Sequence, residues 1–303
     1  MSQDSHILVA CRTDAARLEP FLPVSVFTRL RDKIQSRNDV TIEQESILSD
    51  DPFLSLTLDS REAAAVAGVK HAVFEANVTL GLGRIPPSRA REKVCFFDMD
   101  ATVVAQESIV ELARAAGKEE EVEAITRQAM AGATDFRAAL ERRLEILKGL
   151  PQSCLADVAR RITKNPGIDA FAKWAGSRGI RSFIVSGGFT EFAVPLARGL
   201  GFAGAFAHEL IFENGLFTGK IAGEIVDSAG KARIVQREAA RLGVSMSDVV
   251  AIGDGANDLA MMQEAGLAVG YRPKPILFPA LDAANFQGDH RFLIHLLGGS
   301  TSF

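Results

Sequence analysis

A short apolar segment that ends in two acidic residues constrains this chain more than any other feature. Residues 94–97 read Val-Cys-Phe-Phe, and Asp98 and Asp100 follow with one methionine between them. A run of this length and composition predicts a buried strand, and open α/β sheets place their reactive groups at the carboxyl ends of such strands. Two carboxylates so close repel each other unless a cation or a proton joins them. The pair therefore predicts a divalent metal, a proton shared between the acids, or both.

The same design recurs twice later in the chain. The apolar run 181–185 ends at Ser186-Gly187, and the run 248–252 ends at the sequence Gly-Asp-Gly-Ala-Asn-Asp. A fourth polar element places Lys231 at the start of a helix predicted over 231–242. One Asp-x-Asp pair is also typical of turns and helix caps. Three strand-end motifs and a lysine in one chain favour a common site instead.

Together these motifs resemble the four motifs of the haloacid dehalogenase superfamily of phosphatases, over roughly residues 91–297. Within that superfamily the chain is most similar to the phosphoserine phosphatase family. The motif residues are Asp98, Asp100, Thr102, Ser186, Gly187, Lys231, Asp254, Asn257 and Asp258, and the positions that match substrate-contacting residues are Glu107, Met130, Phe136 and Arg143. Ala101 departs from the pattern, which usually has serine there, and we expect a small effect at most.

The resemblance implies a reaction and a set of roles. Asp98 would be the nucleophile that forms an aspartyl-phosphate, and Asp100 the general acid and base. Mg²⁺ would be held by the Asp98 carboxylate, the Asp100 backbone carbonyl and Asp254. The phosphoryl group would be bound by Ser186, Gly187, Lys231 and Asn257, with Asp258 and Thr102 in support. The implied activity is Mg²⁺-dependent hydrolysis of O-phospho-L-serine to L-serine and phosphate, the last step of serine biosynthesis.

Arg143 and Glu107 would decide the substrate. Arg143 lies seven residues after Phe136 and therefore on the same apolar helix face. An unpaired charge on such a face is costly, and a guanidinium binds a carboxylate through two parallel hydrogen bonds. Arg143 and Glu107 could thus hold the carboxylate and ammonium groups of an amino acid, while Met130 and Phe136 exclude water. The alternative is that Arg143 reaches solvent or pairs with Glu107 directly.

The order of elements predicts an α/β fold with a Rossmann-like, mostly parallel sheet, which is the haloacid dehalogenase fold. Residues 93–303 would form the phosphatase core, with a mainly helical cap inserted at about 108–175 and a hairpin around Asn214-Gly215. Residues 86–92, which begin with two prolines, read as a linker. Residues 1–85 would form a small α/β domain, either an ACT-like amino-acid sensor or a packing or dimerising domain.

Charge and composition narrow the partners. The net charge of −4 offers no basic excess for nucleic acid or an anionic membrane. The sequence has no apolar stretch of the roughly 18 residues that span a bilayer and no secretory signal at its start. The three cysteines are scattered, which disfavours a disulfide framework. We expect a cytoplasmic protein with a small-molecule substrate, and we leave open whether it forms a homodimer. The five histidines show no metal-ligand spacing, and we assign them no role.

Two other functions compete with this prediction. The first is a phosphotransferase or a phosphatase that acts on another small phosphomonoester. The second, from another class, is a non-catalytic module that senses an amino acid. All four motifs keep their reactive groups, which disfavours the non-catalytic alternative.

Overall fold

The computed structural model describes residues 5–12, 41–47, 53–60, 80–82, 93–130, 136–286 and 288–297. For the first four of these ranges, and for Met130 and His295, only the backbone is described. The predicted linker at 86–92 lies outside the described residues.

Four antiparallel strands precede the site-bearing part of the chain. They are β1 (Ser5–Arg12), β2 (Thr41–Ile47), β3 (Phe53–Ser60) and β4 (Leu80–Leu82), in the order β2-β3-β1-β4. This order is that of a ferredoxin-like sheet. The assignment of residues 1–85 to an ACT-like or a packing domain stays a prediction, because the segments between these strands lie outside the described residues.

Seven further strands form the mostly parallel sheet that the sequence predicts, and the fold class is confirmed. They are β5 (Val94–Phe97), β6 (Arg181–Phe189), β7 (Gly204–Glu213), β8 (Leu216–Ala222), β9 (Val249–Gly253), β10 (Leu267–Tyr271) and β11 (Ala283–Asn285). Their order is β11-β10-β9-β5-β6-β7-β8, and only the β7–β8 hairpin is antiparallel among the pairs of these seven strands. The edge strand β11 also pairs with β4.

The sheet core follows from alternation along its strands. In β5, Cys95 and Phe97 pack into one apolar cluster, and Val94 and Phe96 pack into another on the opposite face. Both faces are covered, which explains why β5, β9 and β10 are buried at every position and read as unbroken apolar runs. Such strands leave no polar side chains within the sheet, so polar groups collect at the strand ends.

Five described α-helices lie between β5 and β6 in the chain, and four lie among or after the later strands. The first five are α1 (Ser108–Ala115), α2 (Glu119–Met130), α3 (Phe136–Ile146), α4 (Leu155–Arg161) and α5 (Ile168–Ser177). The later helices are α6 (Thr190–Leu200), α7 (Ser228–Arg241), α8 (Leu259–Glu264) and α9 (Arg291–Leu296). We call α1–α4 the cap helices, because α5 packs against β6 and α9 of the core. No helix of the described ranges combines the length and apolarity that a membrane span requires.

Local signals explain where several elements begin and end. The β7–β8 turn has positive φ angles at Asn214 (51°) and Gly215 (75°), as the Asn-Gly sequence predicts. The predicted helix at 231–242 begins three residues earlier, at Ser228, because the Asp227 side chain accepts a hydrogen bond from the Gly230 amide at 2.7 Å. This earlier start places Lys231 within the first turn of α7.

Strand β5 lies at the point where the order of the sheet reverses. The chain runs from β5 through β6 and β7 on one side, then returns to β9 and β10 on the other. Open α/β sheets bind ligands in the crevice at the carboxyl ends of the strands at such a point. The ends of β5, β6 and β9 therefore define the position of the candidate site.

Candidate active site

The chain turns sharply as it leaves β5. The Asp98 amide donates to the Ile252 carbonyl of β9 at 2.8 Å, and the Val104 amide closes the turn on the Met99 carbonyl at 3.0 Å. Ala101 has a φ of 55°, a left-handed conformation that costs an L-residue about 1 kcal/mol. Backbone strain of this kind is found where surrounding structure fixes a functional site.

Lys231 joins two of the strand-end motifs. It is fully buried, and its Nζ lies 2.8 Å from Asp98 Oδ1 and 2.7 Å from Asp258 Oδ1. Burial by itself would lower the pKa of Lys231, but the two carboxylates outweigh it and raise that pKa above its ordinary value. The lysine therefore stays charged. On the other side of Asp98, Asn257 Nδ2 lies 3.4 Å from Oδ2.

Asp258 shapes the loop after β9. Its Oδ2 accepts hydrogen bonds from the backbone amides of Asp254 at 3.0 Å and Gly255 at 3.1 Å, and its Oδ1 is taken by Lys231. A Cβ at Gly253 would overlap the Asp258 carboxyl group, so the loop requires glycine there. Both oxygens of Asp258 thus serve the loop and the lysine.

Two buried carboxylates each keep one oxygen without a partner among the described residues: Asp100 Oδ1 and Asp254 Oδ1. Their other oxygens accept from Ser108 Oγ at 2.7 Å and from Lys274 Nζ at 2.8 Å, respectively. Burial raises the pKa of Asp100 to about 7, and the neighbouring Asp98 charge adds to the rise. Burial also raises the pKa of Asp254. Buried acceptors without partners are rare, so these two oxygens are candidates for binding a ligand.

The acidic cluster fits a hard divalent cation. Carboxylate oxygens of Asp98, Asp254 and Asp258 lie within 4.8 Å of one another, and all three residues are buried. Both oxygens of Asp258 accept close hydrogen bonds, whereas Asp98 Oδ2 has only the 3.4 Å contact with Asn257, and Oδ1 of Asp254 has no partner among the described residues. Oxygen ligands of this kind suit Mg²⁺. The structure thus brings together two of the side chains predicted to hold the metal.

Ser186 and the two glycines after it come from the end of β6. The Ser186 hydroxyl accepts from the Gly188 amide at 2.9 Å and is buried. A Cβ at Gly188 would lie 2.7 Å from Ser108 Oγ and 3.0 Å from Asp100 Oδ2. Glycine is therefore required for β6 to approach Asp100 this closely.

One cavity of about 160 Å³ opens over these groups. From the core it is lined by the predicted residues Asp98, Asp100, Ser186, Gly187 and Asn257. On the side of the cap helices it is lined by Glu107, which immediately precedes α1, and by Phe136 and Arg143 of α3. Clefts for drug-sized ligands measure ~300–1,000 Å³, so a cavity of this size suits a small substrate.

Arg143 is buried beside this cavity, and the charges of Glu107 and Asp100 act on it without forming an ion pair among the described residues. Its side chain is 6% exposed, and it donates from Nε to the Ala139 carbonyl at 3.1 Å and from Nη1 to Thr126 Oγ1 at 3.2 Å. No carboxylate of the described residues forms an ion pair with it, and it does not reach solvent. Neither alternative considered from the sequence is therefore observed. A buried, unpaired guanidinium calls for an anion.

Glu107 faces the same cavity. It holds the N-cap position of α1, but its side chain makes no capping hydrogen bond, so the carboxyl group remains directed elsewhere. Burial raises the pKa of Glu107 well above its ordinary value, and the charges of Asp100 and Asp254 add to the rise. A cation placed beside Glu107 would reverse this effect.

Of the remaining predicted site residues, Met130 ends α2 and its side chain is outside the described part of the chain. Thr102 is buried, and its carbonyl accepts from Asn165 Nδ2 at 2.7 Å and from His290 Nε2 at 2.9 Å. Thr102 therefore supports the turn that follows β5 through its backbone carbonyl.

Sequence reasoning missed six residues that contact the site or its supports: Ser108, Thr126, Asn165, His208, Lys274 and His290. The sequence assigns no role to His208 or His290, yet both hold backbone groups of the predicted motif segments. None of these contacts has a motif, because each joins residues at least 8 positions apart. The one usable signal was the adjacency of Ser108 to Glu107.

Comparison with known proteins agrees with this geometry. The haloacid dehalogenase-like hydrolase family matches residues 95–263. A phosphoserine phosphatase of Archaeoglobus fulgidus is 43% identical over 195 residues, which are 64% of this chain and 57% of that protein. The chain thus spans little more than half the length of that relative.

Two solved structures are also similar. A phospho-aspartyl intermediate analogue of phosphoserine phosphatase is 38% identical, with a TM-score of 0.65 over 67% of this chain and 98% of that one. A hydrolase of Salmonella enterica serovar Typhi matches 97% of this chain and 98% of its own, with a TM-score of 0.82. At 24% identity, this second likeness shows the fold alone.

Proposed function

Because the chain belongs to the haloacid dehalogenase-like hydrolase family, we propose that it hydrolyses O-phospho-L-serine to L-serine and phosphate. The observation that carries the choice of substrate is Arg143, a buried guanidinium with no ion-pair partner among the described residues, on the cavity that also contains Asp98. The carboxylate of an amino acid would provide the missing anion. Its ammonium group would add a second cation beside Glu107, whose raised pKa the charge of Lys274 only partly offsets.

The first step is transfer of the phosphoryl group to the enzyme. An Asp98 oxygen attacks phosphorus and forms an aspartyl-phosphate, while the bond from phosphorus to the seryl oxygen breaks. Asp100 gives its proton to that oxygen, so serine leaves as a neutral alcohol. The raised pKa of Asp100, about 7, supports this role, since an ordinary aspartic acid would hold no proton at neutral pH.

The second step regenerates the enzyme. Asp100, now a carboxylate, takes a proton from a water molecule as the water oxygen attacks the phosphorus of the aspartyl-phosphate. The bond to Asp98 breaks and inorganic phosphate leaves. The same groups would hold the phosphoryl oxygens in both steps: Ser186, the Gly187 amide, Lys231 and Asn257. The negative charge on the phosphoryl oxygens changes little between the two steps, so the same donors suit both.

We propose Mg²⁺ as the cofactor, held by the carboxylates of Asp98 and Asp254 and by the Asp100 carbonyl. When bound, it supplies positive charge that lets a phosphate dianion approach a carboxylate. Two like charges in contact cost ~4 kcal/mol at an effective dielectric of 20, which corresponds to ~10³-fold in rate. The unpaired Oδ1 of Asp254 supports this assignment. A cytoplasmic location stays a prediction from the sequence, and the question of a homodimer stays open.

The test is release of phosphate from two substrates that differ only in one carboxylate, O-phospho-L-serine and O-phosphoethanolamine, with and without Mg²⁺. We expect kcat/KM to be ~10–100-fold higher for phosphoserine, since hydrogen bonds to a charged group contribute about 1.5–3 kcal/mol. Serine and phosphate should appear in equal amounts. Equal rates with both substrates would remove the reason for naming serine, and no release from either would refute the phosphatase.

A further inference from the structure

His208 is a buried histidine beside the phosphate-binding residues, and no step above uses it. It lies on β7 with its side chain fully buried. One ring nitrogen, Nδ1, lies 3.1 Å from the Gly187 carbonyl oxygen, and the other, Nε2, accepts from the Val226 amide at 2.9 Å. Both partners are backbone groups of segments that carry residues for the phosphoryl group. The imidazole ring therefore joins the end of β6 to the segment that precedes α7.

The end of β6 needs such a partner because it leaves the ladder. Val185 pairs with Phe206 and Phe189 pairs with His208, so three residues of β6 lie opposite a single residue of β7. A bulge of this kind removes the ladder partners of the extra residues, and buried backbone groups must find others. The His208 ring takes the carbonyl of Gly187, at the centre of the bulge.

The two hydrogen bonds fix the protonation state of the ring. A carbonyl oxygen only accepts, so Nδ1 must carry the hydrogen, and an amide only donates, so Nε2 must be free of one. His208 is therefore neutral, as its burial beside the positive charges of Arg143 and Lys231 also favours. A neutral imidazole with this tautomer is a donor toward β6 and an acceptor toward the α7 segment.

The second partner leads directly to Lys231. Val226 precedes Asp227, which caps α7, and the Lys231 amide donates to the Asp227 carbonyl at 2.8 Å. A Cβ placed on Gly187 would lie 3.4 Å from the Val226 carbonyl oxygen, so the two segments already run side by side. Fixing the Val226 amide thus fixes the first turn of α7 against the bulge.

We propose that His208 is a positioning residue that sets the spacing between Gly187 and Lys231 and thereby the affinity of the site for a phosphoryl group. This inference deepens the proposed function and rests on it for the identity of the phosphate-binding residues. His208 does not touch the substrate. Its removal should therefore weaken binding of phosphate more than binding of the amino-acid part, which Arg143 and Glu107 contact.

Three substitutions separate the two hydrogen bonds. In H208N the side-chain amide nitrogen stands where Nδ1 was, so the bond to Gly187 survives and the bond to Val226 is lost. In H208Q the side-chain oxygen stands where Nε2 was, so the bond to Val226 survives instead. H208L fills similar space and makes neither bond. Leu210→Ala, in the same strand and buried without a side-chain hydrogen bond, is the matched control for general loss of stability.

The measurement is the affinity of the full-length protein for inorganic phosphate and for L-serine, by calorimetry in the presence of Mg²⁺. We expect H208L to bind phosphate ~10-fold more weakly, because it makes neither of the two neutral hydrogen bonds. H208N and H208Q should fall between H208L and the natural protein. Serine affinity should stay within ~2-fold in every variant, a margin smaller than one such bond. Leu210→Ala should lower the melting temperature and leave both affinities unchanged.

Two results would overturn the inference. One is phosphate affinity in H208L equal to that of the natural protein; the other is an equal loss of phosphate and serine affinity. If H208L does not fold, H208N and H208Q decide, and natural phosphate affinity in both would overturn it as well. Because calorimetry needs no turnover, a natural protein that binds phosphate but hydrolyses no phosphoserine would refute the proposed function separately.

Discussion

The core and cap sides of the cavity are built on different principles. On the core side, three carboxylates have a lysine partner: Lys231 sits between Asp98 and Asp258, and Lys274 holds one oxygen of Asp254. On the cap side, Arg143 has no carboxylate partner among the described residues. Buried ion pairs that are fully hydrogen-bonded are rigid, whereas a lone buried charge is costly until a ligand arrives. The core is thus organised before substrate binds, and the cap is completed by it.

This contrast assigns chemistry to the core and selectivity to the cap. Groups that move protons or attack phosphorus must be held in place in advance. Groups that select a substrate work best when the wrong substrate leaves them unpaired. The free-energy cost of the unpaired buried group then disfavours binding of the wrong substrate. Substitutions on the two sides should therefore differ in kind as well as in size.

The largest effect should come from the core. Asp98→Asn removes the proposed nucleophile, and we expect kcat to fall by at least ~10³-fold, as for loss of a covalent catalyst. The asparagine oxygen can still accept from the Met99 amide, so the fold should survive. The measurement is phosphate release, with circular dichroism to verify folding. Asp248→Asn is the matched control, because Asp248 immediately precedes β9, at the end opposite Asp254, and pairs there with Lys93. Natural turnover in Asp98→Asn would show that the core does not work as described.

An intermediate effect should come from the cap. Arg143→Ala should raise KM for O-phospho-L-serine ~10–100-fold, because a charge-assisted carboxylate contact is lost. The change for O-phosphoethanolamine, which has no carboxylate, should be small. Arg143→Lys should recover only part of the loss, since lysine lacks the planar fork. The neighbouring Arg142 is exposed, and Arg142→Ala is the control. Equal losses with both substrates would place Arg143 with the core, and the contrast between the two sides would fail.

The smallest effect concerns the stability of the turn that follows β5. His290 donates to the Thr102 carbonyl at 2.9 Å and stacks on Tyr271 with ring centres 4.3 Å apart. Burial lowers the pKa of His290 from 6.5 to about 4. Because the unfolded chain takes up this proton first, the free energy of unfolding should fall as pH drops from 6.5 towards 4.

His290→Gln keeps a donor at the Nε2 position and cannot titrate in this range. Its free energy of unfolding should therefore fall less between pH 7 and pH 4.5 than that of the natural protein, by about 2 kcal/mol. Urea unfolding of the full chain at the two pH values gives this difference. Parallel losses in both proteins would mean that His290 is not held neutral under the turn.

The sequence predicts those parts of the fold and the site that depend on the strands and on the residues at their carboxyl ends. The apolar runs before Asp98, Ser186 and Asp254 predict strands, because a strand covered on both sheet faces is apolar along most of its length. Parallel strands then bring their carboxyl ends together. The Asn214-Gly215 turn was equally readable, since few other residues adopt its backbone angles. In these places local chemistry and the global fold agree.

Contacts between residues that lie far apart in the sequence could not be predicted from the sequence. Lys274 reaches Asp254 across 20 residues, and Thr126 reaches Arg143 from a different helix 17 residues away. His208 and His290 bind carbonyl groups, which every residue has and no motif records. The strained φ of Ala101 also gave no sequence signal, because alanine seldom adopts it.

The most direct test asks whether phosphorus becomes bonded to Asp98. The protein is mixed with O-phospho-L-serine and Mg²⁺, stopped with acid within milliseconds, digested, and its peptides are weighed by mass spectrometry. We expect a phosphoryl group on the peptide that contains Asp98, and none on that peptide in Asp98→Asn. Rapid release of phosphate with no labelled Asp98 peptide at any time of quenching, under conditions that preserve acyl phosphates, would contradict the aspartyl-phosphate mechanism.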